Sequence, residues 1–160
     1  MTPQTGRTRH DAFTLTRRLD ASPQQVFDLF ADTELWRKWF RMPGSGASYE
    51  HDFRVGGGDR ARSTFAQPDG STEQLENRAT YFHLEPDRRI VYAYESIVAD
   101  LPRWASLVTV ELSPDEDGTA LSWTEQIAFI TPTGDGSADL PHLRGAIQLR
   151  LNGLAAALPH

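Results

Sequence analysis

Hydrophobic and polar residues alternate along most of this chain, and turn residues interrupt the alternation at short intervals. Thr119–Phe129 is the clearest case. Leu121, Trp123, Ile127 and Phe129 share one face, and a period of two marks a strand. Phe13–Leu19, Tyr49–Val55, Arg60–Ala66, Thr72–Leu84, Arg89–Val98 and Trp104–Leu112 read the same way, for a total of about seven strands. Gly56-Gly57-Gly58 reads as a bend or bulge, and Pro68-Asp69-Gly70, Glu85-Pro86-Asp87 and the charged Ser113–Gly118 segment read as turns. From the second strand onward no helix separates neighbours, which predicts an antiparallel meander rather than alternating βα units.

Helical spacing shows in three places. Ser22-Pro23-Gln24-Gln25 is a start signal: Ser22 caps, Pro23 suits the first helical position and Gln25 closes a capping box. Val26, Phe27 and Phe30 follow as an apolar stripe. Asp32 caps a second short helix carrying Leu35, Trp36, Trp39 and Phe40, which Pro43-Gly44-Ser45-Gly46 ends. The third and longest helix is predicted over Asp139–Leu158, with Leu140, Leu143, Ile147, Leu151, Leu154 and Leu158 in one stripe. Gly145 and Gly153 weaken it by ~1 kcal/mol each relative to Ala, so packing on the sheet must hold it. Close backbone approach is one reason for glycine there. The expected organisation is an α+β fold, with a disordered tail over 1–11 and a single domain over 12–160.

This order of elements resembles the helix-grip fold of the START/birch-pollen-allergen superfamily (SRPBCC). Within it the chain resembles the branch named after the activator of the heat-shock-protein-90 ATPase. The residues that carry the resemblance are Arg18-Leu19-Asp20-Ala21-Ser22-Pro23, Leu35-Trp36-Arg37-Lys38-Trp39, Asp52-Phe53-Arg54-Val55-Gly56-Gly57, Pro68-Asp69-Gly70, Leu84-Glu85-Pro86-Asp87-Arg88-Arg89-Ile90 and Gly118-Thr119-Ala120-Leu121. They run in order through most of the chain. The resemblance implies a curved sheet wrapped around the last helix, with a cavity between them. It does not imply one function: the superfamily includes lipid carriers, polyketide cyclases and hormone receptors. The chaperone role belongs to relatives with an additional domain and is not carried over.

Composition narrows the classes. The chain has 160 residues, 39% hydrophobic and 24% charged, with a net charge of −6. An acidic chain gains nothing from counterion release, which argues against general nucleic-acid binding. No cysteine is present, so disulfides, thiolate metal sites and cysteine nucleophiles are excluded. That and the absence of an apolar leader in Met1–Phe13 lead to a cytoplasmic expectation. No run approaches the ~18 apolar residues of a membrane span. The five histidines show no His-x-x-x-His or His-x-His spacing, so no metal is expected, and no cofactor either. Gly56-Gly57-Gly58 lacks the Lys-Ser/Thr of a phosphate loop, and no Gly-x-Ser-x-Gly elbow occurs.

The faces of the strands select the candidate site. Ile90, Tyr92 and Tyr94 share one face; so do Val108, Val110 and Leu112; and Glu125 falls on the Trp123–Ile127 face. A carboxylate there costs several kcal/mol unless it is paired or hydrated. Glu125 is therefore the candidate catalytic or ligand-contacting group; a strand end open to water and an ion pair with an arginine are the plainer readings. The expected ligand-binding set is Trp39, Phe53, Tyr92, Tyr94, Val108, Val110, Trp123, Glu125, Leu143, Ile147 and Leu151. The leading expectation is a binding protein for an apolar, aromatic or lipid-like small molecule. The alternatives are an enzyme of polyketide cyclase or hydrolase type using Glu125, and a stress-associated interaction module with a filled core. The first strand leaves pairing across a homodimer open.

Overall fold

The structure, a computed structural model, describes residues 7–159. The elements are β1 (Arg9–Leu19), α1 (Pro23–Ala31), α2 (Thr33–Trp39), β2 (Ser45–Asp52), β3 (Gly58–Ala66), β4 (Thr72–Glu85), β5 (Arg89–Val98), β6 (Leu101–Asp115), β7 (Gly118–Phe129) and α3 (Asp139–Ala156). The strands form one antiparallel sheet in the order β1-β7-β6-β5-β4-β3-β2. The two short helices carry the chain from β1 to the far edge, so the meander runs back and ends beside β1. α3 then lies along the inner face, burying Leu143, Ile147, Leu151 and Leu154. This is the curved α+β helix-grip architecture.

The local signals act as their chemistry dictates. The Ser22 hydroxyl accepts from the Gln25 amide at 3.2 Å, and the Gln25 side chain accepts from the Ser22 amide at 3.0 Å. Asp32 accepts from the Leu35 amide at 3.0 Å. Trp39 locks α2 onto α1 by donating its indole N–H to the Leu29 carbonyl at 2.7 Å.

Several boundaries differ from the sequence expectation. β1 begins at Arg9 because β7 offers a partner as far as Arg9↔Phe129, so the expected tail over 1–11 is strand from residue 9. Residues 1–6 lie outside the described residues. β2 runs Ser45–Asp52 rather than Tyr49–Val55. Arg54 N–H bonds back to the Asp52 carbonyl at 3.0 Å and Gly57 N–H to the Arg54 carbonyl at 2.8 Å, which turns the chain before Val55. β6 extends past both prolines because Pro102 pairs with Ile97 and Pro114 with Thr119. α3 ends at Ala156, although Leu158 is still buried.

The glycine bend is pinned to β4. Gly56 N–H donates to the Tyr81 carbonyl at 2.9 Å, and Tyr81 N–H to the Gly57 carbonyl at 3.0 Å, where β4 has a register shift between Tyr81 and His83. A Cβ at Gly58 would sit 2.0 Å from the Ala79 carbonyl oxygen. The α3 glycines have no such reason. A Cβ at Gly145 would meet nothing within 4 Å, and one at Gly153 would touch Trp39 at an ordinary 3.7 Å. In urea denaturation, Gly58→Ala should lower stability by about 1–3 kcal/mol. Gly145→Ala should raise it by up to ~1 kcal/mol.

Candidate functional site

Side chains of the inner face that α3 does not cover enclose two adjoining spaces. The smaller, about 20 Å³, lies among Phe30, Trp36, Phe53, Asp59, Tyr81 and Tyr92. It has room for about one water. The larger, about 410 Å³, opens between the Asn77–Val98 part of the sheet, Trp104, Phe129 and the first half of α3. It exceeds the ~300 Å³ at which small-molecule sites begin. Asn77, Tyr94 and Arg150 line both.

Glu125 is fully buried behind this wall. Its position on β7, opposite Phe13 of β1 and Val108 of β6, turns its side chain inward. Tyr94 Oη and Ser106 Oγ donate to its Oε2 at 2.5 and 2.7 Å, and Trp123 Nε1 donates to its Oε1 at 3.1 Å. Trp104 Nε1 donates to Tyr94 Oη at 3.1 Å, so the one Tyr94 proton is free to point at Glu125. Both carboxyl oxygens are thus satisfied by neutral donors, neither by bulk water nor by an arginine. Burial raises the Tyr94 pKa well above the ordinary phenol range, and the Glu125 charge adds to this.

Asp59 is a second buried carboxyl, 7% exposed. Its Oδ2 accepts from Tyr81 Oη at 2.8 Å, and its Oδ1 has no partner among the described residues. Burial raises its pKa to about 6; the Tyr81 hydrogen bond and the Arg150 charge oppose the rise. Beside it, His51 stacks on Trp36 with ring centroids 4.4 Å apart and shares a 2.8 Å hydrogen bond between Nδ1 and the Thr33 hydroxyl. Burial lowers the His51 pKa.

The residues expected at the site are distributed unevenly. Trp39, Phe53 and Tyr92 line the smaller space, Tyr94 both, and Leu143 and Ile147 the larger. Val108, Val110, Trp123, Glu125 and Leu151 line neither; they are closed core, at most 2% exposed. Asp59, Ser106, Asn77 and Arg150 were not expected, yet each had a signal. Asp59 alternates with Ala61 and Ser63 against outward Arg60 and Arg62. Asn77 alternates with Ala79 and Tyr81, and Ser106 with Val108 and Val110. Arg150 falls three residues after Ile147 and four before Leu154, on the apolar stripe. Among the described residues, no cluster of three or more His, Cys, Asp or Glu is placed to hold a metal ion. No helix among them is long and apolar enough to cross a membrane.

Fold and cavity together define a helix-grip domain with a space between its sheet and its C-terminal helix. The chain belongs to the family described as activator of Hsp90 ATPase homolog 1-like protein, which it matches over residues 20–158. It is 38% identical to the Mll3558 protein of Rhizobium loti, covering 96% of this chain and 100% of that one, with a TM-score of 0.78. An uncharacterized protein from Rhizobium leguminosarum is 29% identical, with coverages of 94% and 95% and a TM-score of 0.78. DynU16, from the dynemicin biosynthetic locus, shares the fold at 16% identity and a TM-score of 0.62, over 91% of this chain and 46% of that one. No curated protein matches the chain significantly.

Two outcomes test this geometry. Tyr94→Phe removes a donor to buried Glu125 and the acceptor for Trp104, and should cost about 1–3 kcal/mol in chemical denaturation. Asp59 has a folded pKa of about 6 against an ordinary value of 3.8, so the fold favours its protonated form. Its contribution is most favourable below pH ~4, declines as pH rises to ~6 and is then level at a penalty of up to ~3 kcal/mol. Asp59→Asn should therefore gain more stability at pH 7 than at pH 4. Equal changes at the two pH values would contradict the shift.

Proposed function

We propose that the chain binds a small apolar or aromatic molecule in the larger space, with binding rather than turnover as its role. The observation that supports this reading most directly is a cleft of about 410 Å³ between the sheet and α3. Ile97, Trp104, Phe129, Leu143 and Ile147 supply an apolar wall, and Asn77, Tyr94 and Arg150 supply polar groups at its inner end. That is the composition of a small-molecule site: mostly apolar area and a few convergent polar atoms. Such a volume argues against a core filled by side chains.

Chemistry by Glu125 is the weaker reading. Its oxygens are occupied by three donors and it is 0% exposed, so it would reach a ligand only through Tyr94. Its role in this reading is to position the Tyr94 hydroxyl at the cavity wall.

The test is native mass spectrometry before and after organic extraction, with thermal shifts against lipids, flavonoids and polyketide-like aromatics. A co-purifying mass, or a rise in Tm that saturates with ligand, is the expected result. Ala146 is exposed and lines the cavity, so Ala146→Trp should fill it and abolish the shift while leaving the unliganded Tm within a few degrees. No bound mass and no shift across the screen would overturn the proposal.

A further inference from the structure

We propose that the molecule held in the larger cavity carries a compact oxyanion, a carboxylate or sulfonate, and that the Arg150 guanidinium receives it. This rests on the binding reading above and adds the chemical class of the ligand. Arg150 stands where the two spaces meet, half-buried, on the stripe of α3 that otherwise carries Leu143, Ile147, Leu151 and Leu154. Its guanidinium lies over the Phe40 ring, 4.4 Å from the centroid. A guanidinium seated over a ring face is held by the cation–π attraction without using its N–H donors. No carboxylate among the described residues comes within ion-pair distance of it. A cation partly withdrawn from water without an anion is costly, and a ligand oxyanion would remove that cost.

The other charged side chains around the cavity make polar contacts of their own. Glu76 is shared by Arg60 at 3.4 Å and Arg62 at 3.2 Å. Asp139 accepts the Thr133 amide at 2.9 Å. Arg103 donates to the Thr131 carbonyl at 3.0 Å and to the Thr133 hydroxyl. Asp59 and Glu125 act on the same region from farther away. Asp59 accepts from Tyr81, Glu125 from Tyr94, Ser106 and Trp123, and neither lines the larger cavity. Arg103 also lacks a carboxylate partner but has two of its donors tied to Thr131 and Thr133, whereas Arg150 makes no hydrogen bond among the described residues and keeps its whole fork for a ligand. The buried Asn77 amide opens on the same two spaces. A planar fork of donors at the end of an apolar slot suits a flat anion attached to a ring system.

Two fluorescent probes that differ only in the anion decide the point: anilinonaphthalene sulfonate and N-phenyl naphthylamine, its sulfonate-free counterpart. The parent protein should bind the sulfonate at least about tenfold more tightly, the order expected for hydrogen bonds to a charged group. Arg150→Met should bring the sulfonate down to the level of the neutral probe and leave the neutral probe within about twofold, with thermal unfolding confirming the fold. Arg150→Lys, which keeps the charge and loses the fork, should retain an intermediate preference and serves as the second variant if Arg150→Met does not fold. Equal binding of the two probes by the parent would overturn the anion inference and leave the binding site standing. A preference for the sulfonate that survives in Arg150→Met, or in Arg150→Lys at full strength, would overturn it as well. Failure of both probes to bind the parent would remove the binding reading along with it.

Discussion

A carboxyl group with no access to water sits at the centre of this fold. Glu125 lies on the inner face of β7, and a charged or polar group there is tolerated only where donors meet it. The donors come from three adjacent strands: Tyr94 on β5, Ser106 on β6 and Trp123 on β7. A slip of one residue in β5 or β6 would turn its donor to the outer face and take a hydrogen bond from the buried carboxyl, and a slip of β7 would carry Glu125 itself outward. The same network therefore fixes register and aims Tyr94 at the cavity. Structure and site depend on one satisfied polar cluster.

The cavity follows from what α3 leaves uncovered. Its Leu151 and Leu154 belong to one closed core with the apolar inner residues of β1, β6 and β7, while Leu143 and Ile147 also face the open space. Toward β4 and β3 the inner residues are Asn77, Ala79, Asp59, Ala61 and Ser63, too small or too polar to fill the space. Aromatic rings from the short helices and β2 cap the far end, with Trp36 stacked against Phe40 and His51, and Phe53 edge-on to Tyr81. Apolar walls, a polar floor and the Arg150 guanidinium at the meeting of the two spaces are the consequence. Membership of the family does not specify a ligand.

Most of the architecture is legible in the order of residues. Alternation locates the strands, short turns make them an antiparallel meander, and Ser22 and Asp32 set the helix starts. Boundaries are less legible where pairing overrides local preference. Arg9–Asp11 look like a polar tail, yet β7 pairs with them; Pro102 and Pro114 look like strand breakers, yet β6 passes through both. Phe53–Val55 looks like a strand and is a turn, because its backbone bonds are made within the bend.

The site divides along the same line. The period of two places Glu125, Tyr92 and Tyr94 inward, since a strand's faces are a property of its own residues. The sequence by itself thus determined the apolar inward faces of β5, β6 and β7 and that Glu125 falls on one of them. Only the tertiary structure decided that Glu125 is sealed by three donors, that Val108, Val110, Trp123 and Leu151 are solid core, and that Asp59, Asn77 and Arg150 meet at the smaller space. Those facts depend on distances between β3, β4, β5 and α3, which lie far apart in the chain, and no local pattern encodes how closely such elements approach.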